Sequence, residues 1–136
     1  MDHNLAAFEE AAIRELIDRW SKAVRDEKLD GIRAAHDPDI LMFDVPPPLQ
    51  IHGLDAYMAT WEGFLDWSVK PVMFDLHDVN VFAGSDVAFT TAIGRCSGKE
   101  KSGETIQLEF RLTIGLRKRD GQWRIVHEHH SVPATD

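Results

Sequence analysis

The residues of this chain best suited to chemistry sit in one late segment, Trp123-Arg124-Ile125-Val126-His127-Glu128-His129-His130-Ser131. The apolar and polar residues alternate, which predicts a strand. A strand turns successive side chains to opposite faces, so Trp123, Ile125, His127, His129 and Ser131 should share one face. Two imidazoles at the end of an apolar stripe suggest a lined cavity, because a titratable group in a hydrophobic wall is costly unless used or paired. Imidazole titrates near neutrality and could exchange protons with a carboxylate. Asp44 is the candidate partner: it ends the apolar run Ile40-Leu41-Met42-Phe43, just before Pro46. Burial there would raise its pKa into a range suited to taking and returning protons. Asp44 could equally serve the backbone of the Pro46–Pro48 turn.

His127 and His129 permit a second chemistry. Alternate strand positions lie roughly 6.5–7 Å apart, a spacing that can chelate one metal ion. A third ligand would then be needed, with Asp44 or His52 as candidates. The motif alone is weak, and the sequence has no HExxH and no cysteine ligand set. In a third reading the histidines only bond one another, Ser131 or water at a polar pocket mouth. His130 should point to the other face, as surface or interface. The candidate ligand-binding residues are Trp20, His52, Tyr57, Trp61, Leu112 and Ile114: two indoles as walls, a hydroxyl and an imidazole at the rim, and two apolar strand positions beside the histidines.

The elements that must position these residues follow from periodicity. Phe8, Ala12, Ile13, Leu16, Ile17, Trp20, Ala23 and Val24 recur at helical spacing, with Asp2 or Asn4 as the cap. Asp30 can cap a short second helix that runs to about His36 and stops at Asp37-Pro38. Ile40–Asp44 reads as a buried strand, ended by Pro46-Pro47-Pro48. Leu49–His52 can pair back briefly, and a third helix spans about Leu54–Trp67. Four long strands follow: Val72–Phe82, Asp86–Ser97, Thr105–Arg119 and Gln122–Val132. Asp120-Gly121 is a two-residue hairpin signal. That turn would set Lys118 opposite Trp123, Leu116 opposite Ile125, Ile114 opposite His127 and Leu112 opposite His129. Glu128, Arg111 and His130 then fall on the far face, where Arg111 and Glu128 could form a cross-strand ion pair. Helices followed by an antiparallel sheet define an α+β domain spanning residues 1–136.

Composition narrows the function. Net charge is −8, from 15 basic and 23 acidic residues, and an acidic surface repels phosphate backbones. No nucleic-acid partner is expected. Lys99-Glu100-Lys101 and Arg117-Lys118-Arg119 read as solvated turns. Hydrophobic content of 43% supports a substantial core. No apolar run approaches the about 20 residues of a membrane span, and the polar, acidic first residues are unlike a signal peptide. The lone Cys96 forbids an intrachain disulfide. A cytoplasmic location, with no membrane association, is the expectation.

The order of elements resembles the nuclear transport factor 2-like superfamily, and within it the SnoaL-like proteins related to ketosteroid isomerases. The segments that carry the likeness are Asp39–Asp44, Ile51-His52-Gly53, Gly84–Ala88 and Asp120–His127. The resemblance implies a cone-shaped α+β barrel, with three N-terminal helices packed on a curved, mostly antiparallel sheet. It also implies an open-ended pocket and a homodimer through the sheet. It places Asp44 where ketosteroid isomerases hold their base. Those enzymes pair the base with a tyrosine and a protonated acid. Here Trp20 stands near the tyrosine position, Tyr57 lies on the third helix, and no buried acid is evident, so steroid isomerisation is disfavoured. The expected function is binding of a small, largely apolar organic molecule, with isomerase, dehydratase or cyclase chemistry by Asp44, His127 and His129. No cofactor is implied. The alternatives are a non-catalytic ligand-binding or assembly module and a metal-dependent enzyme using His127 and His129.

Overall fold

Helix α1 (His3–Arg25) lays Ile13, Leu16, Ile17, Trp20, Ala23 and Val24 on one buried stripe, the helical spacing expected from the sequence. The computed structural model describes residues 3–100 and 102–134, apart from the side chains of Lys70 and Pro71. Asp2 and Lys101 lie outside the described residues. Helix α2 (Leu29–Ala34) is preceded by Lys28 at its N-cap, so Asp30 sits in its first turn rather than capping it. Strand β1 (His36–Phe43) starts four residues earlier than Ile40. The Asp37 carboxylate accepts the Asp39 N–H at 2.9 Å and holds the chain extended through Pro38. His36 therefore belongs to the strand and not to the helix end.

Strand β2 (Ile51–His52) pairs back on β1, and Gly53 leads into helix α3 (Leu54–Trp67). Gly53 has φ +95°, a left-handed conformation that glycine adopts without penalty. Strands β3 (Val69–Ala83), β4 (Val87–Lys99), β5 (Thr105–Arg119) and β6 (Gln122–Ser131) form an antiparallel meander. The sheet order is β2-β1-β6-β5-β4-β3, with β1 and β6 parallel. The sheet is thus mixed and six-stranded. Asp120 and Gly121 both have positive φ, 52° and 77°, as a tight hairpin turn between β5 and β6 requires.

Past that turn the predicted register holds for Lys118↔Trp123 and Leu116↔Ile125, then breaks. Gly115 is opposite His127, Ile114 opposite Glu128 and Leu112 opposite His130. Val126 is an extra residue, a β-bulge, and every side chain after it changes face. Gly115 has the space such a bulge needs: a Cβ there would come within 3.2 Å of the His127 Cβ.

The core lies between α1, α3 and the inner sheet face. Trp20, Tyr57, Phe74, Ile40, Met42, Leu112, Ile114, Leu116 and Ile125 are all essentially inaccessible. Burying a large apolar side chain contributes roughly 1.5–3 kcal/mol, so this cluster outweighs the surface ion pairs. The Lys118–Glu9 ion pair is partly buried: Lys118 Nζ lies 2.9 Å from both oxygens of Glu9 and ties β5 to α1. None of the described helices is long and apolar enough to cross a membrane.

Candidate functional site

A cavity of about 470 Å³ opens beside the polyproline turn. Met42 and Asp44 of β1 and its end, Val45 to Pro48, and Ile51 form one side. Thr60, Trp61 and Phe64 of α3 form the second, and Phe74, Cys96, Leu108 and Phe110 of β3 to β5 form the third. His130 of β6 completes it. The aromatic walls brace one another: Trp61 meets Phe64 and Phe74 edge to face, at centroid distances of 6.0 and 5.7 Å. The lining is therefore mostly apolar, with polar chemistry concentrated at Asp44 and His130.

Register explains that concentration. Met42 is opposite Glu128 and Phe43 opposite His129, so Met42, Asp44, Glu128 and His130 all turn inward. His130 Nδ1 lies 3.6 Å from Asp44 Oδ1, while its Nε2 lies 2.8 Å from Glu128 Oε1. The imidazole also stacks on the Phe110 ring, with centroids 5.3 Å apart and planes 16° apart. Phe110 in turn covers Gly94, where a Cβ would come within 2.2 Å of the ring.

Behind His130 is a buried polar cluster. Glu128 is fully inaccessible. Its Oε2 accepts the Tyr57 hydroxyl at 2.7 Å and lies against His36 Nε2. His36 Nδ1 faces the Ile32 carbonyl at 2.7 Å. Burial pushes the Glu128 carboxyl up, but the charge of His36 and the hydrogen bonds from His130 and His36 outweigh it and hold it at about 2. For His130, burial favours the neutral ring, and Glu128 and then Asp44 overcome it, so its pKa is raised. Tyr57 is raised well above the ordinary phenol range, by burial first and by the Glu128 charge second. It is a hydrogen-bond donor and not a proton source. Burial likewise pushes the Cys96 thiol up to about 11.

The candidates from sequence sort as follows. Asp44 lines the cavity, and its Oδ1 also accepts the Val45 N–H at 2.8 Å. His127 and His129 do not face it. The bulge turns both to the outer sheet face, where they flank the Phe43 ring. His127 Nδ1 donates to the Leu41 carbonyl, 2.6 Å away. His130, assigned to the outer face, is the inward one. The expected Arg111–Glu128 pair does not form: Arg111 Nε donates to Ser131 Oγ at 3.0 Å. Trp61 lines the cavity. Tyr57 lies one layer deeper, on Glu128. Trp20, Leu112 and Ile114 are core residues outside the lining. His52 is exposed on β2, separated from His127 by Leu41. His127 and His129 thus share a face but gain no third ligand from Asp44. Among the described residues no group of three or more His, Cys, Asp or Glu could hold a metal ion.

Sequence reasoning missed His36, Glu128 and His130. The signal for the last two was Gly115, since a glycine inside a strand often marks a bulge. His36 was concealed by the helix-like run before Asp37-Pro38.

A helical layer on this mixed sheet is the nuclear transport factor 2-like architecture. The sequence matches the SnoaL-like domain over residues 13–135, and the chain belongs to that family. An NTF2-like protein of unknown function from Pseudomonas putida KT2440 is 38% identical, with a TM-score of 0.82 over 93% of this chain and 87% of that one. A candidate scytalone dehydratase from Novosphingobium aromaticivorans DSM 12444 superposes with a TM-score of 0.86 at 16% identity, over 97% and 89% of the two chains. A candidate calcium/calmodulin-dependent protein kinase II association domain from Xanthomonas campestris gives 0.77 at 20% identity, over 91% and 87%. The last two likenesses are of fold alone. No curated protein matches the sequence significantly.

Proposed function

We propose that this protein binds a small, largely apolar organic molecule in the cavity and moves a proton on it, with Asp44 and His130 as the acid–base pair. The observation that carries the reading is the setting of His130. It stands at the polar end of an apolar cavity, between Asp44 at 3.6 Å and the buried Glu128 at 2.8 Å. The three N-terminal helices and the curved sheet form the cone, and the cavity is its open end.

The chemistry that suits this pair is removal of a proton from carbon next to a carbonyl, as in isomerisation or dehydration. Asp44 takes the C–H proton. His130, held charged by its two carboxylate neighbours, gives its proton to the developing enolate oxygen or to a departing β-hydroxyl. In the second case the C–O bond breaks, a C=C bond forms and the hydroxyl leaves as water. Proton transfer by positioned groups contributes roughly 10²–10⁴-fold. The dehydratase-like neighbour supports this class of reaction, and the scytalone of its name is said of that protein alone.

The test is deuterium uptake at carbon, read by proton NMR in D₂O, across a panel of small cyclic ketones, enones and β-hydroxy ketones. Asp44→Asn should lose about 100-fold or more of the exchange rate while still binding the responsive compound. Full exchange in that variant would sink Asp44 as the base. A protein that bound none of the panel and exchanged none of it would favour the assembly-module reading.

The outer sheet face is proposed as the homodimer surface. Phe82 and Phe89 stack there, both about half exposed, with Val87 beside them.

A further inference from the structure

The cluster behind His130 does more than hold the imidazole charged: its geometry restricts which nitrogen of His130 can work in the cavity. We infer that Glu128 is the positioning residue of the site: it fixes the His130 tautomer so that Nε2 keeps its proton and Nδ1 is the nitrogen that works in the cavity. This inference rests on the acid–base reading of Asp44 and His130.

A carboxylate only accepts hydrogen bonds. Glu128 receives Tyr57 O–H and His36 on Oε2, and His130 on Oε1. His36 has an accepting carbonyl, that of Ile32, on its other nitrogen. With an acceptor at each nitrogen, His36 donates on both sides, and its charge balances Glu128 inside the protein. Glu128 is thereby a stable anion in a site sealed from water, and the bond it accepts from His130 must come from Nε2–H. Nδ1 is left facing Asp44 and the cavity, with the Phe110 ring fixing the imidazole plane. The groups facing His130 are Asp44 from the end of β1, Glu128 from β6, with His36 and Tyr57 behind it, Cys96 from β4 across the cavity and Phe110 from β5. Among the described residues, only Glu128 bonds Nε2.

The test is a nitrogen-15 NMR titration of the wild-type protein, with His130 assigned by substitution. Above its titration midpoint His130 should carry its proton on Nε2. A proton on Nδ1 would overturn the inference. Glu128→Gln should lower the midpoint by about one pH unit or more and mix the two tautomers. An unchanged midpoint and tautomer would also overturn it. Should Glu128→Gln fail to fold, Tyr57→Phe decides: with one donor fewer, Glu128 attracts the His130 proton more strongly and the midpoint should rise. No movement there counts against the inference. In exchange assays Glu128→Gln should lower kcat about 100-fold and shift the pH profile, with KM within about threefold. Absence of exchange in the wild type would sink the acid–base reading, while the tautomer measurement would still decide the role of Glu128.

Discussion

The pKa values of His130 and Glu128 are shifted in opposite directions, and that makes their contribution to stability visible in pH. Glu128 is lowered from 4.5 to about 2. Its stabilisation is complete above 4.5 and is lost as pH falls toward 2. His130 is raised above 6.5. Its stabilisation is complete below 6.5 and is lost as pH rises through the elevated value. Melting temperature should therefore be highest between about pH 4.5 and 6.5 and decline on both sides. A pH series of thermal melts checks this, and Glu128→Gln should flatten both limbs. His127→Ala and His129→Ala, on the far face, should leave exchange in the cavity within about twofold of wild type, because neither touches the lining. An effect as large as that of Asp44→Asn would contradict their outward placement. Asp44 was legible in the sequence because an acid closing an apolar strand is conspicuous. Glu128 was not: a charged residue between two histidines looks solvated until His36, distant in sequence, is brought against it.

Sheet and helices were legible wherever periodicity was unbroken. The stripe of α1, the span of α3 and the Asp120-Gly121 hairpin all follow from spacing and turn chemistry. What was not legible was the point where one residue breaks the alternation, at Val126, because side-chain period alone cannot register an unpaired residue. Strand β1 was cut short for a related reason: Pro38 stops a helix but fits a strand edge. Gly94 gives an element-level prediction. Gly94→Ala would drive a methyl into the Phe110 ring, which is both core and cavity wall. Overpacking of this kind costs typically 1–3 kcal/mol, about. Denaturant melts should show a loss of this order, and ligands of the cavity should bind more weakly because Phe110 and the stacked His130 must shift together.

The assembled molecule carries its apolar residues unevenly. Beyond the core, Phe82, Phe89 and Val87 are exposed together on the outer sheet face, which also carries the exposed Arg95–Glu109 pair. A homodimer through that face should be present in sedimentation equilibrium at micromolar protein. Phe89→Asp should shift it to monomer without loss of helical or strand signal in circular dichroism. A wild-type monomer at every concentration would remove the dimer. The cavity opens away from these aromatics, beside the polyproline turn, so the variant should retain its ligand. Membership in the family was legible from a few spaced segments because the fold is written in turns and apolar stripes.

The extra residue at Val126 means that β6 holds two sets of polar side chains in one stretch of sequence. One set, Glu128 and His130, faces inward. The other, His127 and His129, would occupy the inward positions if the strand kept its length but paired with β5 without the bulge. A register shift alone would thus redraft the interior of the cavity without any substitution, exchanging a carboxylate–imidazole pair for two imidazoles. Relatives that lack the bulge in this strand should be aligned by face, because aligned by letter they would equate residues on opposite faces of the sheet.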